Sequence, residues 1–161
     1  TFNRIKHYIK EGDCYQVNLA KRFSITANGD PWHAYQLLRQ NNPAPFSAYF
    51  ETPHVTILSS SPERLLKLEN NHVETKPIKG TRPRDLSNQD NDLALANVLK
   101  NSTKDLAENL MIVDLLRNDL GKVCNPGSIN VPKPFAIESF ATVHHMVSTV
   151  TGQLADDQNA V

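Results

Sequence analysis

Apolar side chains recur along the chain with two different periods, and the switches between them mark out its elements. Phe2, Ile5, Tyr8 and Ile9 lie at helical spacing ahead of Gly12, a residue type that closes helices from the left-handed region, so a helix opens the chain. From Tyr15 the period drops to two. Tyr15, Val17, Leu19 and Phe23 alternate with Gln16, Asn18 and Arg22, which predicts a strand with one polar face. Asp30 followed by Pro31 reads as the cap and first turn of a second helix, with Trp32, Tyr35 and Leu38 as its buried stripe and Asn41-Asn42-Pro43 as its end. Strand-like runs follow at 46–50, 54–58, 64–68 and, beyond the Asn70-Asn71 turn, 72–78. Their short connections predict an antiparallel meander.

Residues 80–84 read as a Gly- and Pro-containing turn, and 93–100 as a helix carrying Leu95, Val98 and Leu99. Ser102 with Asp105 resembles a capping box opening a longer helix that reaches about residue 118 and is stopped by Gly121. The apolar middle of that helix predicts burial on several sides. After the Pro126-Gly127 turn, 129–131 and 143–150 read as two more strands. No internal repeat is visible, and the whole pattern predicts one α+β domain with much antiparallel sheet.

Bulk properties narrow the function. A chain of 161 residues is long enough to bury a core of its own. Seventeen basic and seventeen acidic side chains cancel, and no cationic run could track a phosphate backbone, which argues against nucleic acid as a ligand. The longest nearly apolar run, 110–116, is interrupted by Asp114 and falls far short of a membrane span, so a soluble protein is expected. Cys14 and Cys124 fit neither a disulfide framework nor a zinc site, which suits a reducing, cytoplasmic setting with both thiols inert in the core. The chain starts at Thr1 without a signal peptide and turns polar directly after a strand-like run, which predicts the central part of a single domain, truncated at both ends.

Three places break local rules. The first is Pro77-Ile78-Lys79-Gly80-Thr81-Arg82-Pro83-Arg84, where Gly80 permits close approach and Lys79, Arg82 and Arg84 suit an anion, Lys79 also a nucleophile; a solvated basic turn is the plainer reading. The second is the apolar helix around Glu108, Asp114, Arg117 and Asp119. Asp114 and Arg117 can pair at i, i+3, which leaves Glu108 as the better metal candidate, with Lys104 four residues before it as a competing partner. The third is His144-His145, whose rings point to opposite faces of a strand, so that one of them can line a site. Glu63 stands near a strand end, where an ordinary surface carboxylate is the alternative.

Taken together and in order, five segments resemble the chorismate-utilising enzymes. They are Tyr15-Gln16-Val17-Asn18-Leu19, Ser61-Pro62-Glu63-Arg64, Pro77-Ile78-Lys79-Gly80-Thr81, Glu108-Asn109-Leu110-Met111-Ile112-Val113-Asp114-Leu115 with Arg117-Asn118-Asp119, and His145-Met146-Val147-Ser148. The resemblance covers essentially the whole chain. It implies an α+β fold of antiparallel β-sandwich layers flanked by helices, incomplete here, with the active site between the sheets. Where anthranilate- and isochorismate-forming members carry Ala, this chain has Lys79, and Gln16 stands where the isochorismate-forming members carry a basic Lys. The resemblance therefore implies amination of chorismate to 4-amino-4-deoxychorismate on the route to p-aminobenzoate and folate. In that reading Lys79 is the nucleophile, Glu63 the general acid, Glu108 a Mg²⁺ ligand, and His145, Thr81, Gly80 and Gln16 bind substrate. Pro45, Phe46 and Ser47 resemble part of a tryptophan pocket. A glutamine amidotransferase subunit would supply ammonia. Anthranilate synthesis, or a non-catalytic tryptophan-binding or scaffold fragment, remain the alternatives.

Overall fold

The computed structural model describes residues 1–159, in two compact units, Thr1–Asp30 and a second that begins at Pro31. In the first, helix α1 spans Phe2–Glu11 and ends as expected on Gly12 at φ 82°. The strand expected from Tyr15 is not formed: residues 16–28 carry no regular structure, and Tyr15, Phe23 and Ile25 are 84%, 83% and 92% exposed. An alternating pattern becomes a strand only where a neighbouring edge takes up its N–H and C=O groups, and no strand is described in this unit. Cys14 is half-buried here, so the expectation of two core thiols holds only for Cys124.

The second unit contains α2 (Pro31–Asn41), β1 (Phe46–Glu51), β2 (Thr56–Ser61), β3 (Lys67–Glu69), β4 (His72–Thr75), β5 (Ile78–Pro83), α3 (Gln89–Lys100), α4 (Thr103–Gly121), β6 (Asn130–Ser139) and β7 (Val143–Gln153). Of the stripe expected on α2 only Tyr35 is buried; Trp32 lies edge-on to Tyr49 with 5.1 Å between centroids. Every strand pairing described is antiparallel, but the four-stranded meander breaks after β2. β1 and β2 form a separate two-stranded sheet, and β3 pairs with β4 in a five-stranded one. Pro62, which has no N–H to donate, follows β2 directly.

β7 organises the larger sheet. Thr151 lies opposite both Glu74 and Asn130, and Val147 opposite both Ile78 and Ala136, so β4 and β5 run end to end along one edge of β7 and β6 along the other. Its unbroken buried run from His144 to Val150 reflects cover on both faces. The segment expected to be a turn at 80–84 is largely strand, because β7 offers it an edge.

Helices α3 and α4 pack on β5 and β7. Asn88 caps α3 by accepting from Asn91 N–H at 3.1 Å, which starts the helix four residues before its apolar periodicity does. Ser102 caps α4 by accepting from Asp105 N–H at 3.3 Å, as its sequence predicts. α4 is buried on one face rather than several: Val113 and Leu120 join Val73, Cys124, Val150 and Leu154 in the core, while Leu110 and Leu115 are 56% and 47% exposed.

Candidate active site

Strand alternation sends the two histidines of β7 to different neighbours. His144 turns to α3, where its Nε2 meets Asp92 Oδ1 at 3.0 Å and its Nδ1 meets Ser139 Oγ at 2.8 Å. His145 sits opposite Thr81 on β5 and Glu138 on β6. Its Nδ1 is 2.8 Å from Thr81 Oγ1, and the Phe140 ring covers it at 5.4 Å. Burial pushes the His145 imidazole below its ordinary value, against the opposing pull of the Gly80 carbonyl and the Glu63 and Glu138 carboxylates. At neutral pH the ring is therefore an uncharged hydrogen-bonding group.

Glu63 is exposed, and its Oε1 accepts from the Ile78 N–H at 2.8 Å. That bond ties the carboxylate to the backbone next to Lys79. Lys79 is half-buried at the point where β5 slips register against β7, and among the described residues its amine has no hydrogen bond or ion pair. Gly80 adopts φ +90°, and an added Cβ would stand 2.9 Å from both Asp105 Cβ and Leu99 Cδ1. The close approach that Gly80 allows is thus to α3 and α4.

The two arginines of the motif are committed elsewhere. Arg82 pairs with Asp105 at 2.9 Å, and Arg84 grips Asp92 through Nε and Nη2 at 2.8 Å while donating to the Phe140 carbonyl. Arg84, with the Asp85 N–H and His144, holds the Asp92 carboxyl far below the usual carboxylate range. Two of the three cations that suit an anion are thus compensated by carboxylates on the flanking helices, which leaves Lys79 as the one without a described ion pair.

Glu108 lies one turn beyond Asp105 on α4, its side chain 44% exposed and 3.3 Å from Lys104. Asp114 pairs with Arg117 at 3.0 Å, as its spacing predicts. No group of three His, Cys, Asp or Glu side chains suited to a metal is found among the described residues. Pro45 and Phe46 line a cavity together with Pro62, Arg64, Ile78, Glu138 and Val147, and Pro45 also lines a neighbouring one that reaches His145. Ser47 is turned inward to its own loop, donating to the Ala44 carbonyl at 2.9 Å. Gln16 belongs to the first unit, with its amide 3.4 Å from Asn18 Oδ1. The structure thus brings Glu63, Gly80, Thr81 and His145 together beside Lys79, with Pro45 and Phe46 on an adjoining wall.

The description "chorismate binding enzyme" fits residues 1–161, the whole chain. The chain belongs to the chorismate-binding enzyme family. It is 51% identical over 159 residues to aminodeoxychorismate synthase component 1 of Salmonella typhimurium, covering 99% of this chain and 35% of that protein. Anthranilate synthase component 1 of Saccharolobus solfataricus is 46% identical over 154 residues, 96% of this chain and 36% of that one. Among solved structures, anthranilate synthase component I of Streptococcus pneumoniae superposes with a TM-score of 0.85 at 34% identity, over 98% of this chain and 34% of its own. This chorismate-binding enzyme chain therefore spans about a third of the length of the relatives it matches, and its α+β architecture of antiparallel sheets and helices is theirs.

Two features of this family member escaped the sequence reading. Glu138, opposite His145, pairs with Lys76 at 2.6 Å, a contact between residues 62 apart that no local pattern announces. Asn109, fully buried, is the second; an amide on the inner face of an apolar helix was its signal.

Proposed function

We propose that the protein to which this chain belongs aminates chorismate to 4-amino-4-deoxychorismate, with Lys79 as covalent nucleophile. The single observation that carries the reading is the amine of Lys79, half-buried at the β5 register slip, free of hydrogen bonds and ion pairs among the described residues, and one residue from the amide that holds Glu63. The similarity to aminodeoxychorismate synthase component 1 supports it.

In this mechanism the Lys79 amine attacks C2 through its lone pair, both conjugated ring double bonds shift by one place, and the C4–O bond breaks. Glu63 acts as the general acid, passing a proton to the departing oxygen so that water leaves rather than hydroxide. Ammonia then adds at C4, both double bonds shift back, and the C2–N bond breaks to return Lys79 as an amine, protons passing from the incoming nitrogen to the departing one. His145 and Thr81 supply neutral hydrogen-bonding groups to the substrate. Gln16 is retained as a substrate-binding candidate, and Pro45, Phe46 and Ser47 as part of a tryptophan pocket. Glu108, half-exposed and, among the described residues, paired only with the exposed Lys104, suits one ligand of a Mg²⁺ that keeps most of its water; bound there, the ion would supply positive charge to a substrate carboxylate.

A relative named as component 1 supports a partner component, for which we propose a glutamine amidotransferase that delivers ammonia. No helix among the described residues is long and apolar enough to cross a membrane, and a cytoplasmic location is proposed with two free thiols as its support. We also propose that 1–161 is the central part of one longer chorismate-binding domain.

The test is Lys79→Ala in the full-length protein with chorismate and ammonium. Covalent capture of substrate should vanish and aminodeoxychorismate formation fall by about 1,000-fold or more. An unchanged rate and product would refute the assignment, and anthranilate from the wild type would favour the rival synthesis.

A further inference from the structure

Both edges of β7 carry strands that lose step with it. On one edge β5 slips between Ile78 and Thr81; on the other β6 slips between Lys133 and Ala136, where Phe135 takes φ +53°. A bulky residue in the left-handed region persists only where its surroundings hold it there. A bulge also takes backbone groups out of the ladder, and in a buried sheet those groups need other acceptors and donors.

Ser148 serves both slips at once. Its N–H donates to the Pro77 carbonyl at 3.2 Å, just ahead of the β5 slip. Its Oγ accepts from the Phe135 N–H at 2.9 Å, inside the β6 slip, and its hydroxyl donates to Asn109 Oδ1 on α4 at 2.5 Å. Asn109 Nδ2 then donates to the Met146 carbonyl at 3.2 Å. Ser148 and Asn109 are each 0% exposed. The direction of every bond follows: with its proton given to Asn109, the Ser148 oxygen has lone pairs free for Phe135. Apolar side chains of equal volume would fill the space and leave the Phe135 N–H without an acceptor.

What this hub joins gives it meaning. Pro77 lies two residues before Lys79, and Asn109 directly follows Glu108. We propose that Asn109 and Ser148 are positioning residues, which through one buried hydrogen-bonded hub set the β5 slip bearing Lys79 against the α4 turn bearing Glu108. The proposal rests on the roles given above to those two side chains. Neither Asn109 nor Ser148 touches substrate; they act on where the reacting groups stand.

Ser148→Ala, Asn109→Leu and the double variant of the full-length protein decide the matter, beside Val113→Ala, which opens the α4 core without touching the hub. Chorismate consumption is followed whatever the product, together with thermal unfolding. The hub variants should lose kcat by about 100-fold, as misplacement by about an ångström does, with KM within about twofold. The double variant should lose little more than the worse single one, whereas Val113→Ala should lower the melting temperature and keep kcat. Should Asn109→Leu not fold, Ser148→Ala, which removes one oxygen atom, carries the test alone. In the full-length protein, hydrogen exchange at the Lys79 and Gly80 amides should accelerate at least about tenfold in Ser148→Ala while Val73 on β4 keeps its rate. Retained kcat in Ser148→Ala, or loss matched by Val113→Ala, would leave the pair an ordinary part of the core. A wild-type product other than aminodeoxychorismate refutes the proposed function without touching the hub. If the wild type consumes no chorismate, the exchange measurement still decides.

Discussion

Gly80 shows how narrow the tolerances around Lys79 are. Its φ of +90° is one that side-chain-bearing residues rarely adopt, and a methyl group there would press on Asp105 Cβ and Leu99 Cδ1 at 2.9 Å. Asp105 Cβ is fixed to its helix, and Leu99, whose terminal methyl is the other obstacle, is fully buried, so the helices themselves would have to move. Gly80→Ala should therefore destabilise the chain by about 2–4 kcal/mol, strain and overpacking acting together, as read from the denaturation midpoint. Unchanged stability would mean that α3 and α4 are not held against β5 as described. The same residue shows what sequence alone can say. The need for a glycine is legible in Pro77-Ile78-Lys79-Gly80-Thr81, which leaves the approaching group open between a ligand and backbone; it is the side chains of Leu99 and Asp105, from helices 19 and 25 residues further on.

Elements marked by local chemistry are legible in the sequence, and so are β1 and β7; the misread ones are elements whose form depends on distant pairing. Gly12 ends α1, Asn70 and Asn71 turn at φ 50° and 59° between β3 and β4, and Ser102 opens α4. Each signal acts within a few residues. By contrast, 15–23 has a strand's alternation without an edge to join, and β5 is a strand despite Gly80 and Pro83 because β7 lies beside it. Residues 130–139 were read short for the same reason, since Pro132 and Pro134 disguise a strand that pairs at intervals around its slips. At the site, the residues of the motifs were recognisable, whereas the carboxylates that hold Arg82 and Arg84 came from other elements. The caps allow a quantitative check. Replacing Ser102 by Ala removes the acceptor of the Asp105 N–H and should cost about 1 kcal/mol, with Ser102→Asp close to neutral, in chemical denaturation of the chain. Equal losses for both substitutions would contradict a capping role.

At the scale of the molecule, ion pairs cross between the sheet and the helices. Arg84, Asp92, His144 and Ser139 link β5, α3, β7 and β6 in one network. The Asp92 carboxyl is held below its unfolded value of about 4, so the pairing contributes stability above that pH and loses it as the pH falls through the folded value. Asp105, held low by Ser102 and Arg82, acts in the same direction. The melting temperature should thus decline on acidification from about pH 5, and Asp92→Asn should melt lower at pH 7 with a shallower acid slope. A parallel slope would place the acid sensitivity elsewhere. The position of β7 has a further consequence, for the order of assembly during synthesis. β4, β5 and β6 share no partner but β7, which lies at residues 143–153 and is translated after all of them. At about 5–20 residues per second, a ribosome needs several seconds to add what separates β5 from the end of β7, and meanwhile the edges of β4 and β5, and then of β6, that β7 will take stay open. A nascent chain stalled short of residue 143 should therefore be protease-sensitive throughout β4 to β6, and one carrying β7 clear of the exit tunnel should become resistant in a single step.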